Sequence, residues 1–563
     1  MSLARDVSRS VVRSLRPGPA PLAVARGARA FGAAALIAGY GALLGDMRGV
    51  AIAYLGAACT AAFVTGGAYR NRARALVAQA LGALLGITVG TSVPHEAVWT
   101  VTAATLLGAV SGAVGALGPG GPGFGMMLSV GVAYGQFAGS SLPWWQQVLA
   151  YSAGTTLMIV VTLAPWAVRR GAVEREAAAA VMAAAADLCA AAGTRAGREA
   201  RTALAAASAA AREAGPEPRA ELVAVAAAAL YAEGERVPAD AVAAVRTAGE
   251  QILADRPVSV RFLASGGSPG LRALAEALTT QPSKPVGSVV HHTFTLRTLR
   301  TPQMALNAGR VALCMGAATT LTLALHEPSH SFWLPLTVAV IVRPEYASVF
   351  VRTVNRVCGT LVGAAVTAAL LAPRPTALAV AFTAAAALGF AALTAPKLYA
   401  LNVVGVTASA LLSSSLTGPD PVLPAVRMLD TLLGAVLAVV LGYLVWPGAR
   451  RSPGAALWDA AAESAVKYLD EAVRPPADRE HFRTRRDEAY LRAHQARATV
   501  EAAALELPPV SDRAVALIPA ACRLEDTVDA ITALAAERDA GAVDLRRATE
   551  LRKRLTLPER AEG

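Results

Sequence analysis

Apolar residues along this chain gather into two sets of six runs, and each set is followed by a long polar stretch. The first set lies near 28–45, 50–67, 74–91, 97–117, 123–140 and 146–168, the second near 305–325, 329–343, 353–372, 375–394, 398–417 and 427–446. Each run approaches the roughly 20 residues that a helix needs to cross a bilayer. The polar stretches, 171–300 and 454–556, are rich in alanine with interspersed Glu and Arg, as in REAAAAVMAAAADL. They have high helix propensity and no strand-like alternation. Pro216, Pro218, Pro238 and Pro257 separate helices in the first, and Pro508 and Pro509 break the second. The pattern predicts an all-α polytopic membrane protein, with about six transmembrane helices per half and two helical regions outside the bilayer. The expected divisions are a tail at 1–27, a first membrane half at 28–168, a polar region at 169–304, a second membrane half at 305–446 and a C-terminal polar region at 447–563.

Composition narrows the class. With 55% hydrophobic and 16% charged residues and a mean hydropathy of +0.45, the chain holds more apolar surface than a soluble core absorbs. The formal charge of +12 does not point to nucleic acid, because the arginines cluster beside apolar runs, as at cytoplasmic membrane flanks. The five cysteines, Cys59, Cys189, Cys314, Cys358 and Cys522, contain no C-x-x-C pair and read as small apolar fillers. No phosphate loop, nucleophile elbow or zinc-protease motif occurs, so neither enzyme chemistry nor a cofactor is expected. His326, Glu327 and His330 have near-ligand spacing, but Pro328 interrupts them and they read as an external loop. At the amino terminus Arg5, Arg9, Arg13 and Arg16 share one helical face, which suits an interfacial basic helix or an arginine-rich tail that fixes topology.

The most informative stretch is 331–366, SFWLPLTVAVIVRPEYASVFVRTVNRVCGTLVGAAV, which reads as a membrane hairpin with a charged turn around Glu345. Helical spacing puts Arg352, Asn355, Arg356, Gly359 and Gly363 on one stripe, so cationic groups lead into a glycine seam. Glycines four apart let a neighbouring helix approach, which turns the arginines above them toward protein rather than lipid. The pattern FW-x-P-L-T, R-P-E-Y-A-S and R-V-C-G-T-L-V-G-A over 332–366, supported again at 427–434, resembles the fusaric-acid-resistance family, which includes the aromatic acid exporters. The resemblance implies an integral protein of the bacterial inner membrane that exports aromatic or other organic anions. Its implied partners are a small organic anion and membrane lipid, with room for a homo-oligomer or an accessory efflux subunit, and no nucleic acid.

The two sets read as a duplication. Registering Gly82 and Gly86 on Gly359 and Gly363 also brings Tyr69 onto Tyr346 without a gap, and Trp166 with Arg169 and Arg170 parallels Trp446 with Arg450 and Arg451. An even number of spans per set makes the repeat parallel, with substrate expected between the halves. Arg356 registers on Gln79, while Arg427 and Asp430 register on Gln147 and Ala150, so charge is concentrated in the second half. Loop arginines put the amino terminus and both polar regions on the cytoplasmic side.

Arg356 and Arg310 are the candidate anion contacts, each weighed evenly against a role as a topology anchor. Asn355 and Asn402 suit hydrogen bonds to substrate and equally to a neighbouring helix. Arg427 and Asp430, three residues apart, suit either a local ion pair or, with Asp430 as the proton-responsive group, coupling to the proton gradient. A passive anion channel and a membrane scaffold with interacting helices are the rival classes.

Overall fold

The computed structural model describes residues 11–556 except 13, 19, 46, 63–66, 95, 116, 118–119, 139–141, 195, 216, 260–266, 280–301, 326–331, 343–348, 417–420, 447–453, 477, 507–509 and 542–543. The His326, Glu327 and His330 loop, Glu345 with Tyr346, the start of the amino-terminal basic helix, and Arg450 with Arg451 lie outside the described residues. All regular structure among the described residues is helical.

The first apolar set forms α1 (Val24–Leu44), α2 (Met47–Ala62), α3 (Tyr69–Ser92), α4 (Ala97–Val114), α5 (Gly121–Phe137) and α6 (Trp144–Leu163), extended by the single turn α7 (Pro165–Val168). The first polar region follows as α8 (Ala172–Ala191), α9 (Gly197–Ala214), α10 (Pro218–Glu233), α11 (Ala239–Leu253) and α12 (Pro269–Thr279). The second set is α13 (Pro302–Leu325), α14 (Trp333–Ile341), α15 (Val349–Leu371), α16 (Ala377–Thr394), α17 (Tyr399–Ser414) and α18 (Leu423–Val439), the last continued by a π-turn at Val440–Leu444. The chain closes with α19 (Gly454–Ala472), α20 (Arg479–Ala503), α21 (Val510–Asp539) and α22 (Leu545–Thr556).

Every apolar run thus becomes a helix, but not every helix has the length of a span. Among the described residues eight are long and apolar enough to cross a bilayer: α1, α3, α4, α6 with α7, α13, α15, α16, and α18 with its π-turn. The other four, α2, α5, α14 and α17, have 16, 17, 9 and 16 residues. They are the second and fifth helices of each set. Most of α5 and all nine residues of α14 are buried, so these short helices lie among other helices rather than against lipid.

The packing within the sets follows one scheme. In each, the third helix packs on the fifth and the second on the sixth, giving α3 with α5, α15 with α17, α2 with α6 and α14 with α18. Between the sets, the fourth helix of one packs on the first of the other, α4 with α13 and α16 with α1. The short helices cross the same seam, α2 onto α17 and α14 onto α5.

Close approach is what the glycines provide. A Cβ on Gly359 would lie 2.6 Å from the carbonyl oxygen of Ala400 on α17, and one on Gly86 would lie 2.4 Å from that of Leu128 on α5. The glycine seam expected from 331–366 is therefore an α15–α17 contact, and its counterpart in the first set is α3 on α5.

The two polar regions have separate apolar cores, one over α8–α12 and one over α19–α22, and they touch through charged groups. Arg201 donates from Nε and Nη2 to the two carboxylate oxygens of Asp529 at 2.6 and 2.8 Å. That pair is almost fully buried, whereas the neighbouring Arg198–Asp526 pair at 2.7 Å is half-exposed.

Candidate functional site

The seam between the sets holds a cavity of about 60 Å3. Its first-set wall is apolar or nearly so: Leu55, Ala58, Cys59 and Ala62 of α2, with Met127 and Val130 of α5. The second set supplies the chemistry, with Arg356, Asn402, Arg427, Trp333, Tyr399 and Thr407 all at the lining. Among the described residues no Asp or Glu lines it. The charge asymmetry read from the sequence is thus an asymmetry of the two walls of one cavity.

Each cation is presented by its helix for a local reason. Arg427 is on the buried face of α18 that continues through Thr431 and Gly434. Its Nη1 donates to the carbonyl of Trp333 at 3.3 Å and to Thr337 Oγ1 at 3.2 Å. Its guanidinium carbon sits 4.3 Å from the centre of the Trp333 ring, a cation–π contact that partly replaces lost water. Arg356 lies on the stripe that continues through Gly359 and Gly363, and is 6% exposed. Unlike Arg427 it has no hydrogen bond or ion pair among the described residues, and its Nε is buried without a partner there. The two guanidiniums lie close enough to repel each other electrostatically.

The remaining candidates separate. Asn402 lines the cavity while its Nδ2 donates to the carbonyl of Ala391 at 3.0 Å. Asn355 does not reach the lining. Its Nδ2 donates to the carbonyls of Ser14 at 3.0 Å and Val351 at 2.8 Å, and its Oδ1 accepts from the amide of Ala400 at 3.0 Å. These bonds tie the amino-terminal segment and the first turn of α17 to α15. Arg310 is completely buried in α13 but is not part of the cavity wall. Asp430 is buried one turn along α18 from Arg427 and interacts with it electrostatically, but it too is outside the lining. Trp333 and Tyr399 were missed as site residues, because an aromatic inside an apolar run carries no signal beyond packing. Their only sequence signal is that each lies near a polar candidate, Trp333 in the quoted FW motif and Tyr399 three residues before Asn402.

Cys59 at the cavity wall is a free thiol, as are Cys314 and Cys358 in the second set. Among the described residues no group of His, Cys, Asp and Glu is arranged to hold a metal ion.

Comparison with known proteins agrees with the reading of 331–366. Residues 313–441 match the model of the family described as fusaric acid resistance protein-like. That segment contains Arg356, Asn402, Arg427 and Asp430, and Arg310 lies just before it. No curated protein and no solved structure matches the chain.

Proposed function

We propose that this protein, a multi-pass membrane protein with a fusaric acid resistance-like second set, exports organic and in particular aromatic carboxylate anions. They bind between the two sets against Arg356 and Arg427. The observation that carries this reading is Arg356 itself, a buried guanidinium facing a cavity that holds a second arginine and, among the described residues, no carboxylate. Keeping an unpaired cation out of water is expensive, and such groups in membrane segments mark ion or substrate paths. A carboxylate would offset that cost through two parallel charge-assisted hydrogen bonds. Trp333 and Tyr399 supply aromatic wall for a ring, and the apolar first-set wall supplies the rest.

The cavity of about 60 Å3 has room for a few waters, whereas an apolar cavity of about 150 Å3 holds a benzene ring. In this proposal loading moves the first-set wall, α2 and α5, away from the second set. The repeated packing scheme supports two six-helix halves related by a parallel repeat, which rock about this seam. Asp430 is the proposed proton-coupling carboxyl, since its helix also carries Arg427. Arginine-rich loop ends support an inner-membrane orientation with both polar regions cytoplasmic.

The test is uptake of a carboxylate panel that includes salicylate into inverted vesicles, with and without an imposed proton gradient. Wild type is expected to concentrate an aromatic acid. Arg356→Ala should lower the apparent affinity by about ten- to a hundredfold, the worth of one charge-assisted contact. Arg356→Lys should recover only part, because an ammonium cannot form the paired bonds. Asp430→Asn should leave only downhill flux. Undiminished uptake by Arg356→Ala removes it from the site. A wild type that moves anions but never concentrates them is a channel, and one that moves none leaves the scaffold.

A further inference from the structure

The two polar regions are fastened to the membrane helices at corresponding places by different chemistry. In the first half the backbone carbonyl of Glu213, near the end of α9, accepts from the amide of Ala68 at 3.2 Å and from Asn71 Nδ2 at 3.1 Å. These groups are at the start of α3. In the second half the side chain of Glu506, just beyond α20, accepts from the amide of Phe350 at 3.2 Å, in the first turn of α15. Both α3 and α15 are the third helix of their set. One fastening is a peptide carbonyl, and the other is an ionisable carboxyl.

Glu506 is 1% exposed, and its Oε1 is buried without a hydrogen-bond partner among the described residues. It faces the positive end of the α15 dipole, where a carboxylate is favoured. Among the described residues, the charged side chain that bears on it is Arg352, also on α15. Arg356 follows Phe350 by six residues on the same helix, about 9 Å along its axis. A shift of the first turn is therefore carried to the cavity.

We propose that Glu506 is a positioning residue that latches the C-terminal polar region to the first turn of α15 and so fixes Arg356 in the cavity. The second part rests on the reading of that cavity as a transport site. The latch carries a sense of pH. Burial pushes the Glu506 carboxyl up to about 7, against the opposing pull of the Phe350 amide, Arg352 and the Val351 amide. Released into water, the side chain returns to its ordinary value of 4.5. The latched form thus holds a proton that the released form gives up. By linkage, latching is strongest in acid, weakens as pH rises from about 4.5 to about 7, and is constant above that window.

Hydrogen exchange on the full-length protein in lipid nanodiscs, corrected for intrinsic rates, tests this at pH 5.5 and 7.5. In wild type the protection of the first turn of α15 should fall at least about tenfold between the two, since one unit of pKa difference is a factor of ten. The first turn of α3, held by the Glu213 carbonyl, should not change and serves as the internal control. Glu506→Gln, neutral and of the same shape, should stay protected at both pH values. Glu506→Ala should be weakly protected at both, with faster exchange over 353–357 as well. The proposal is overturned if Glu506→Gln keeps the wild-type pH dependence, or if Glu506→Ala leaves α15 as protected as before. Should wild type move no carboxylate in vesicles, the transport reading falls while these profiles still decide the latch.

Discussion

The two arginines of the cavity are chemically alike but differently supported, and that difference predicts opposite effects on stability. Arg427 bonds the Trp333 carbonyl and Thr337 and stacks over the Trp333 ring. Thr337 Oγ1 itself donates to the Trp333 carbonyl at 2.9 Å, so removal of Arg427 deletes its charge-assisted bonds and its ring contact without orphaning either group, and Arg427→Ala should lower the thermal midpoint, with a loss of about 1–3 kcal/mol. Arg356 has no such partner among the described residues. Arg356→Ala should therefore leave the midpoint unchanged or raise it, because only the desolvation of an unpaired cation is removed. Thermal unfolding of both variants in one detergent checks this, and an equal loss in the two would mean that Arg356 is a structural anchor. The arginines were legible in the sequence because a charge inside an apolar run stands out. The roles of the neutral groups were not. Asn355 and Asn402 differ by what their neighbours offer, three backbone groups in one case and one backbone carbonyl beside a cavity wall in the other, and side-chain identity says nothing of that.

At the scale of elements, the sequence located every membrane-set helix but could not sort them by surroundings. Hydropathy reports that a helix avoids water, and a nine-residue helix such as α14, wrapped on all sides by protein, avoids it as thoroughly as a lipid-facing span. The glycine stripes were more specific, because spacing of four within an apolar run has a direct steric meaning. They support a quantitative expectation. Gly359→Val and Gly86→Val each force a side chain into a neighbouring backbone carbonyl, at positions where even a Cβ would be 2.6 and 2.4 Å away. Overpacking of this kind costs about 1–3 kcal/mol, and more where backbone must shift. Gly32 and Gly39 of α1 have nothing within 4 Å of a built Cβ, and the same substitution there should be neutral. Thermal unfolding of the four variants measures the contrast, and comparable losses at Gly39 and Gly359 would contradict the packing described for α15 and α17.

For the whole molecule, each membrane set carries a polar region, and the two polar regions meet at a buried ion pair. Helix propensity predicted that these regions are helical, but their contact was not legible, since Arg201 and Asp529 are 328 residues apart and look like any other charges on alanine-rich helices. Their burial gives them a distinct energetic signature. Arg201 is held charged despite burial by the facing Asp529 carboxylate, which also accepts from the Tyr490 hydroxyl at 3.0 Å. Asp529→Ala strands a guanidinium at the interface and should cost about 3–5 kcal/mol, as breaking one member of a buried pair does. Replacing both, Arg201→Met with Asp529→Leu, removes both desolvation costs along with the attraction, so most of the loss should be recovered. The exposed Arg246–Asp187 pair at 3.0 Å, with side chains 56% and 64% accessible, is the control, and Arg246→Ala should change stability by no more than about 0.5 kcal/mol. Denaturant unfolding of the full-length protein, followed through the exchange of α9 and α21 amides, resolves the three cases. If Asp529→Ala is as mild as Arg246→Ala, the two polar regions do not share a desolvated seam. If the double replacement is as damaging as the single one, the pair contributes more through its hydrogen-bonded network with Tyr490 than through charge, and the seam depends on that network.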